Sequence, residues 1–164
     1  MRPDPLALAP IGVWWDDATM AINTSSVNHI RLTVTDIDRS RAFYEGIFDW
    51  PVAIEMPADT PAEDRGRYAF LYGGVIYDLG YTLLGLRPVS TDAFDENRTG
   101  LDHLSLAVGS PAELEDAIHL LDGLGVDHGG IKDIGSGLIV EFRDPDNIAL
   151  ELFAAKVSTS STTV

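Results

Sequence analysis

Three side chains are of types that could hold a metal ion, and the spacing around them is repetitive. His29 and His103 each stand at the head of an apolar alternating segment, and Glu151 lies inside the last one, Ala149 to Phe153. A shift of 74 positions lays His29-Ile-Arg-Leu-Thr-Val34 on His103-Leu-Ser-Leu-Ala-Val108, Asp36 on Ser110 and Val52 on Val126. The chain therefore reads as two copies of one small unit sharing one metal. Two neutral imidazoles and a carboxylate form a facial triad that leaves coordination positions open for substrate, water or dioxygen. A glutamate between two strand leucines is costly to bury unpaired, and a cation offsets that cost.

Other residues could serve the same site. Arg31 shares the strand face of His29 and could anchor an anionic group or pair with an acid. Ser105 could hydrogen-bond a ligand beside His103, and His128 is either a candidate general acid or base or a residue of a solvent-exposed strand end. Tyr68, Phe70 and Tyr72 alternate and could line an apolar pocket or pack in the core. His119 falls beside Glu115 and Asp122, off the apolar stripe of its helix, and reads as a solvated residue.

Positioning these groups requires strands and helices in a repeated order. Val27 to Thr35 alternates strictly, with Ile30, Leu32 and Val34 on one face; Leu104, Leu106 and Val108 repeat it. Ser110-Pro-Ala-Glu113 carries an N-cap, a first-turn proline and a capping-box glutamate. A helix stripe of Leu114, Ala117, Ile118, Leu121 and Leu124 follows, with Gly125 as its stop. In the first copy Asp36 or Asp38 caps a helix burying Phe43, Ile47 and Tyr44, which ends before Pro51. Strands are expected over Val52 to Met56, Arg67 to Asp78 with a kink at Gly73-Gly74, Thr82 to Pro88, Val126 to Lys132, Leu138 to Phe142 and Ile148 to Phe153. Asp144-Pro-Asp-Asn147 turns between the last two. The order βαβββ thus occurs twice, an α+β arrangement. One helix per unit covers one sheet face and leaves the other for a cavity.

Composition bounds the function classes. A formal charge of −15, from 26 acidic against 11 basic residues, makes a phosphate backbone an improbable partner, so no nucleic acid is expected. With no cysteine, thiolate chemistry is excluded and the cytoplasm fits. An apolar content of 45% and mean hydropathy of +0.05 suit a soluble globular body, and no apolar run is long enough to cross a membrane. Residues 1–26, with three prolines and the Trp14-Trp15 pair, read as a disordered extension, with Met20 an alternative start; 156–164 is a polar tail. A single domain is expected over 27–155, with module one at 27–89 and module two at 101–155.

His29, the Asp36-Ile-Asp-Arg-Ser-Arg-Ala-Phe-Tyr44 segment, His103 and Phe142-Arg-Asp-Pro-Asp-Asn-Ile-Ala-Leu-Glu-Leu152 together resemble the vicinal oxygen chelate superfamily. That group includes glyoxalase I, fosfomycin-resistance enzymes, extradiol dioxygenases, methylmalonyl-CoA epimerase and bleomycin-resistance proteins. The resemblance covers roughly residues 27–155. It implies two tandem βαβββ modules whose sheets form a U-shaped cleft around a divalent ion such as Fe(II), Mn(II), Ni(II) or Zn(II). It also implies His29, His103 and Glu151 as ligands and a small-molecule substrate with adjacent oxygens. Aligning Leu84-Gly85-Leu86 with Leu150-Glu151-Leu152 puts Gly85 where glyoxalase I carries a second glutamate, so a three-ligand centre is implied. Lyase or isomerase chemistry and ring-opening dioxygenation both remain open. The competing reading is a non-catalytic binder of the bleomycin-resistance kind that sequesters a cationic molecule, which the acidic composition favours. The family often pairs sheet surfaces across subunits, so a homodimer is compatible, with the site inside one chain or across two.

Overall fold

The computed structural model describes residue 22 and residues 24–156. The readings of residues 1–21, of Met20 as a start and of most of the polar tail lie outside the described residues. Among the described residues no helix is long and apolar enough to cross a membrane.

The repeat is realised element by element. Module one comprises β1 (His29–Val34), α1 (Ile37–Ile47), β2 (Val52–Ile54), β3 (Val75–Asp78) and β4 (Leu83–Pro88). Module two comprises β5 (Leu104–Val108), α2 (Pro111–Leu124), β6 (His128–Asp133), β7 (Gly137–Arg143) and β8 (Ala149–Ala155). The sheets have the orders β1-β4-β3-β2 and β5-β8-β7-β6. In each, the first and last strands are parallel and the rest antiparallel.

The helix boundaries follow the capping chemistry. Asp36 accepts from the backbone N–H groups of Asp38 and Arg39, and Ser110 accepts from that of Glu113, whose carboxylate reaches back to Gly109 N–H at 2.9 Å. Gly125 ends α2 at φ 69°, where a side chain would be strained. The stripe of α2 is narrower than expected, since Leu114 and Leu121 are buried but Leu124 is 49% exposed. In α1 the deepest residues are Ser40 and Tyr44, with Phe43 and Ile47 only half-buried.

One expected strand is replaced. Arg65–Leu71 forms a 3-10 helix, so Tyr68, Phe70 and Tyr72 do not line one face of a strand. β3 begins only at Val75, opposite Leu86 on β4, and two positions beyond Leu86 stands Pro88, which has no N–H with which to extend a ladder. The chain turns instead through Tyr72 and Gly73 at φ 56° and 83°. Gly74 packs so close to β4 that a Cβ would fall 1.8 Å from the Leu86 carbonyl oxygen.

The apolar faces of both sheets join the helices in one core that includes Leu32, Val34, Tyr44, Leu86, Leu104, Leu121, Phe142 and Leu150. The turn Asp144–Asn147 ties the modules together with two buried acids. Asp146 accepts from Thr35 N–H at 2.9 Å, from the Thr35 hydroxyl at 2.5 Å and from Arg39 at 2.6 Å. Tyr44 Oη donates to Asp144 Oδ2 at 3.1 Å. The opposite face of each sheet is turned away from this core; His29, Arg31, His103, Ser105 and Glu151 lie on that side, whereas His128 pairs with the core residue Phe142 and meets Asp122 of α2 on the helix side.

Candidate functional site

His29 and His103 are held in the same way by the residue that precedes each. His29 Nδ1 lies 2.9 Å from Asn28 Oδ1, and His103 Nδ1 lies 2.5 Å from Asp102 Oδ1. An acceptor at Nδ1 fixes the tautomer whose lone pair is on Nε2, as in metal sites where an outer carboxylate or carbonyl orients the imidazole. Asp102 also pushes the His103 imidazolium above its ordinary range, more than burial opposes it, with further help from the charges of Glu151 and Glu141.

Strand register brings the remaining module-two groups to His103. Ser105 lies directly opposite Glu151 in the parallel β5–β8 pair, and its hydroxyl donates to Glu151 Oε1 at 2.6 Å. Glu141 lies opposite Glu151 on the other side, across β7–β8. Like charges directly opposed across a ladder are unfavourable. Lys132, which ion-pairs with Glu141, offsets part of that repulsion. Side chains of these strands, with Glu96, Asp102, Asp127, His128 and Arg143, enclose a cavity of about 480 Å³.

Arg143 engages Glu96, another residue of the cavity wall, with a bidentate pair at 3.0 and 2.6 Å. That contact holds the Glu96 carboxyl down at about 2 and fastens the segment between the modules to β7. His128 is occupied on both ring nitrogens, accepting from Gly130 N–H at 3.1 Å and facing Asp122 at 3.2 Å. It joins α2 to β6 at the cavity wall.

His29 lies elsewhere. It borders a smaller cavity of about 170 Å³ with Arg31, Phe70, Ile76, Leu83 and Gly85, and the two cavities share no residue. Among the described residues, no three His, Asp or Glu side chains of a single chain converge closely enough to hold a metal ion. Arg31 caps the 3-10 helix by donating to the carbonyls of Phe70 at 3.0 Å and Leu71 at 3.5 Å. It also accounts for Gly85, because a Cβ there would meet Arg31 Cγ at 3.2 Å. Where module two sets Ser105 against Glu151, module one sets the Arg31 stem against a glycine.

Sequence reasoning selected His29, Arg31, His103, Ser105, His128 and Glu151. It missed Asp102, Asn28, Glu141 and the Glu96–Arg143 pair. Asn28 and Asp102 had a visible signal, since the same 74-position shift superposes them. Glu141 had none, because one acid in an alternating strand looks like any solvated position.

By residue type alone the donors are those a divalent cation takes, although within one chain His29 stands apart from His103 and Glu151. Two imidazoles present free Nε2 atoms, and one carboxylate is pinned through a single oxygen. The acid-rich wall around His103 lacks compensating cations beyond Lys132 and an Arg143 already engaged.

Comparison with known proteins agrees with the fold. No curated protein sequence matches the chain. A glyoxylase/bleomycin resistance protein/dioxygenase domain from Frankia sp. EAN1pec is 33% identical, with a TM-score of 0.66, covering 82% of this chain and 100% of that one. Lactoylglutathione lyase from Agrobacterium tumefaciens shares the fold at 19% identity and a TM-score of 0.59, over 80% of this chain and 94% of that one. So does a variant of the fosfomycin resistance protein FosX from Listeria monocytogenes, complexed with Mn(II) and 1S,2S-dihydroxypropylphosphonic acid. Its identity is 20% and its TM-score 0.61, over 82% of this chain and 94% of that one. The sequence profile of the Glyoxalase/Bleomycin resistance protein/Dioxygenase superfamily matches residues 26–152, and the chain belongs to that superfamily.

Proposed function

We propose that this protein is a metal-dependent enzyme whose centre is completed between two copies of the chain, His29 of one protomer meeting His103 and Glu151 of its partner. The observation that carries the reading is the matched pair Asn28–His29 and Asp102–His103, each imidazole held at Nδ1 and belonging to an exposed residue. A two-fold axis that lays sheet one over sheet two of the partner makes both contacts at once and so forms two equal sites. The open face of sheet two is acid-rich around His103, with Glu141 and Glu151 beside Asp102, and such a face attracts a cation. FosX, which shares the fold, is complexed with Mn(II) in one solved form.

A divalent ion held there, Fe(II), Mn(II), Ni(II) or Zn(II), would supply Lewis acidity to two adjacent oxygens of a small-molecule substrate. The chain's own residues define the surroundings. Ser105 holds Glu151 at one oxygen and leaves Oε2 free; Asp102 and Asn28 orient the imidazoles. Arg31 lies beside His29 and is available to an anionic substrate group, while His128 borders the cavity on the module-two side. Lyase, isomerase and ring-opening chemistry all suit such a centre. Absence of cysteine suits a cytoplasmic setting.

The test is elemental analysis of protein purified without chelators, followed by anaerobic Fe(II) reconstitution and a screen of catechols, 2-oxoaldehydes and thiol adducts. A stoichiometric divalent ion that Glu151→Ala abolishes is expected. Retention of that ion by Glu151→Ala contradicts the reading.

One observation favours a second reading. Five carboxylates, Glu96, Asp102, Asp127, Glu141 and Glu151, line the larger cavity against one arginine. Such a cavity could sequester a cationic molecule without any metal. Protein lacking a stoichiometric ion but binding an organic cation would select it.

A further inference from the structure

We infer that the open face of sheet one carries an oxyanion subsite formed by Arg31 and Arg87 around Tyr72, which receives a carboxylate or phosphate-type group of the substrate. The inference rests on the metal-site reading only in placing this face in the same cleft as His29.

In a chain this acidic, free cations are scarce. Among the described residues every Lys and Arg makes an ion pair except Arg31, Arg65 and Arg87. Arg65 is satisfied by the Thr60 carbonyl. Arg31 and Arg87 each keep a buried Nε without a hydrogen-bond partner. Arg31 spends its terminal nitrogens on two helix-end carbonyls, one of them weakly at 3.5 Å. Arg87 has no hydrogen-bonded side-chain partner among the described residues.

The two guanidiniums share one aromatic ring. Arg87 Cζ lies 4.0 Å from the Tyr72 centroid and Arg31 Cζ lies 6.0 Å from it. Two cations around one ring repel each other unless a counter-charge joins them. Tyr72 is held there by an αL backbone, φ 56° and ψ 29°, a conformation unfavourable for a tyrosine and one that places its ring over the arginines.

Register fixes the direction of the subsite. In the parallel β1–β4 pair, His29 faces Leu83, Arg31 faces Gly85 and Thr33 faces Arg87, so all project from one side. Arg31 is two residues along the strand from His29, or about 7 Å, and Arg87 is level with the next pair, at about twice that. A substrate that engages both would carry its anionic group one or two strand pairs away from the atoms presented to His29. Guanidinium forks match oxyanions geometrically, which an ammonium or a purely apolar group would not exploit.

The test titrates the full chain with inorganic phosphate and, separately, acetate, following the arginine Nε–H resonances by NMR and affinity by calorimetry. Phosphate is expected to shift the Arg31 and Arg87 resonances, and Arg87→Gln to weaken binding by about tenfold or more. Arg31→Gln should weaken it as well; because Arg31 also caps the 3-10 helix, Arg87→Gln is the decisive variant. Binding of acetate extends the subsite to carboxylates, and its failure restricts the subsite to phosphate-type groups. Glu151→Ala should retain phosphate binding while losing metal, so failure of the metal reading is separable from failure of this one. Phosphate that leaves both resonances unmoved, or binds Arg87→Gln as well as the natural chain, overturns the inference.

Discussion

Ser105 and Glu151 face each other across β5–β8 with a 2.6 Å hydrogen bond, and the same register position in β1–β4 holds Arg31 against Gly85. The duplicated fold therefore offers two equivalent places for a strand-borne carboxylate and fills only one. In module one the space is taken by an arginine stem, so the difference between the modules is one of packing as well as of residue type.

Gly85→Ala should destabilise the chain by about 1 kcal/mol, because its Cβ must displace an Arg31 side chain anchored at Phe70. In an Arg31→Ala background the same substitution should be neutral or stabilising. A double-mutant cycle in urea reads the coupling directly.

Ser105→Ala removes the group that orients Glu151 while keeping the carboxylate proposed as a ligand. Affinity for Mn(II), measured by calorimetry, should fall by about tenfold to a hundredfold, while Glu151→Ala should abolish it. Equal affinities in Ser105→Ala and the natural protein would remove the serine from the outer shell.

Much of this arrangement was legible in the sequence, and for a physical reason. Alternation and capping are local signals, so His29, His103 and both helices could be placed from spacing alone. The 3-10 helix at Arg65–Leu71 was not, because Tyr68, Phe70 and Tyr72 mimic a strand period. The strand's late start goes with a non-local fact: β3 joins β4 only from Val75, opposite Leu86, two positions before Pro88, which has no N–H to donate. Glu141 became visible only through its register with Glu151. Which sheet face meets which also depends on tertiary packing, since Phe43 touches Phe142 and Tyr44 reaches Asp144 across the modules.

That inter-module link gives a stability prediction. Tyr44→Phe removes a buried donor to Asp144 and should cost about 1–3 kcal/mol in urea denaturation, with little effect on metal affinity. A loss of metal binding at unchanged stability would show that the link serves the site instead.

Asp144 also predicts a pH dependence. Burial pushes its carboxyl above the usual aspartate range, although Ile148 N–H, Asp146 N–H and Tyr44 Oη favour the charged form. With the folded value raised, the native state binds the proton more tightly than the unfolded chain. The resulting stabilisation is complete below the unfolded value of about 3.9 and disappears as pH rises through the higher folded value. Asp144→Asn should lack this descending limb. Subtracting its unfolding profile from that of the natural chain isolates the effect from the oppositely shifted Glu96, whose stabilisation is lost as pH falls toward about 2.

Mixing two inactive variants tests the shared centre most directly. His29→Ala and Glu151→Ala should each bind no stoichiometric divalent ion, yet on unfolding and refolding together they should regain metal, because each mixed dimer carries one site with all three natural ligands. Metal that stays absent from the mixture, although the mixed dimers form, would contradict a centre built between two chains.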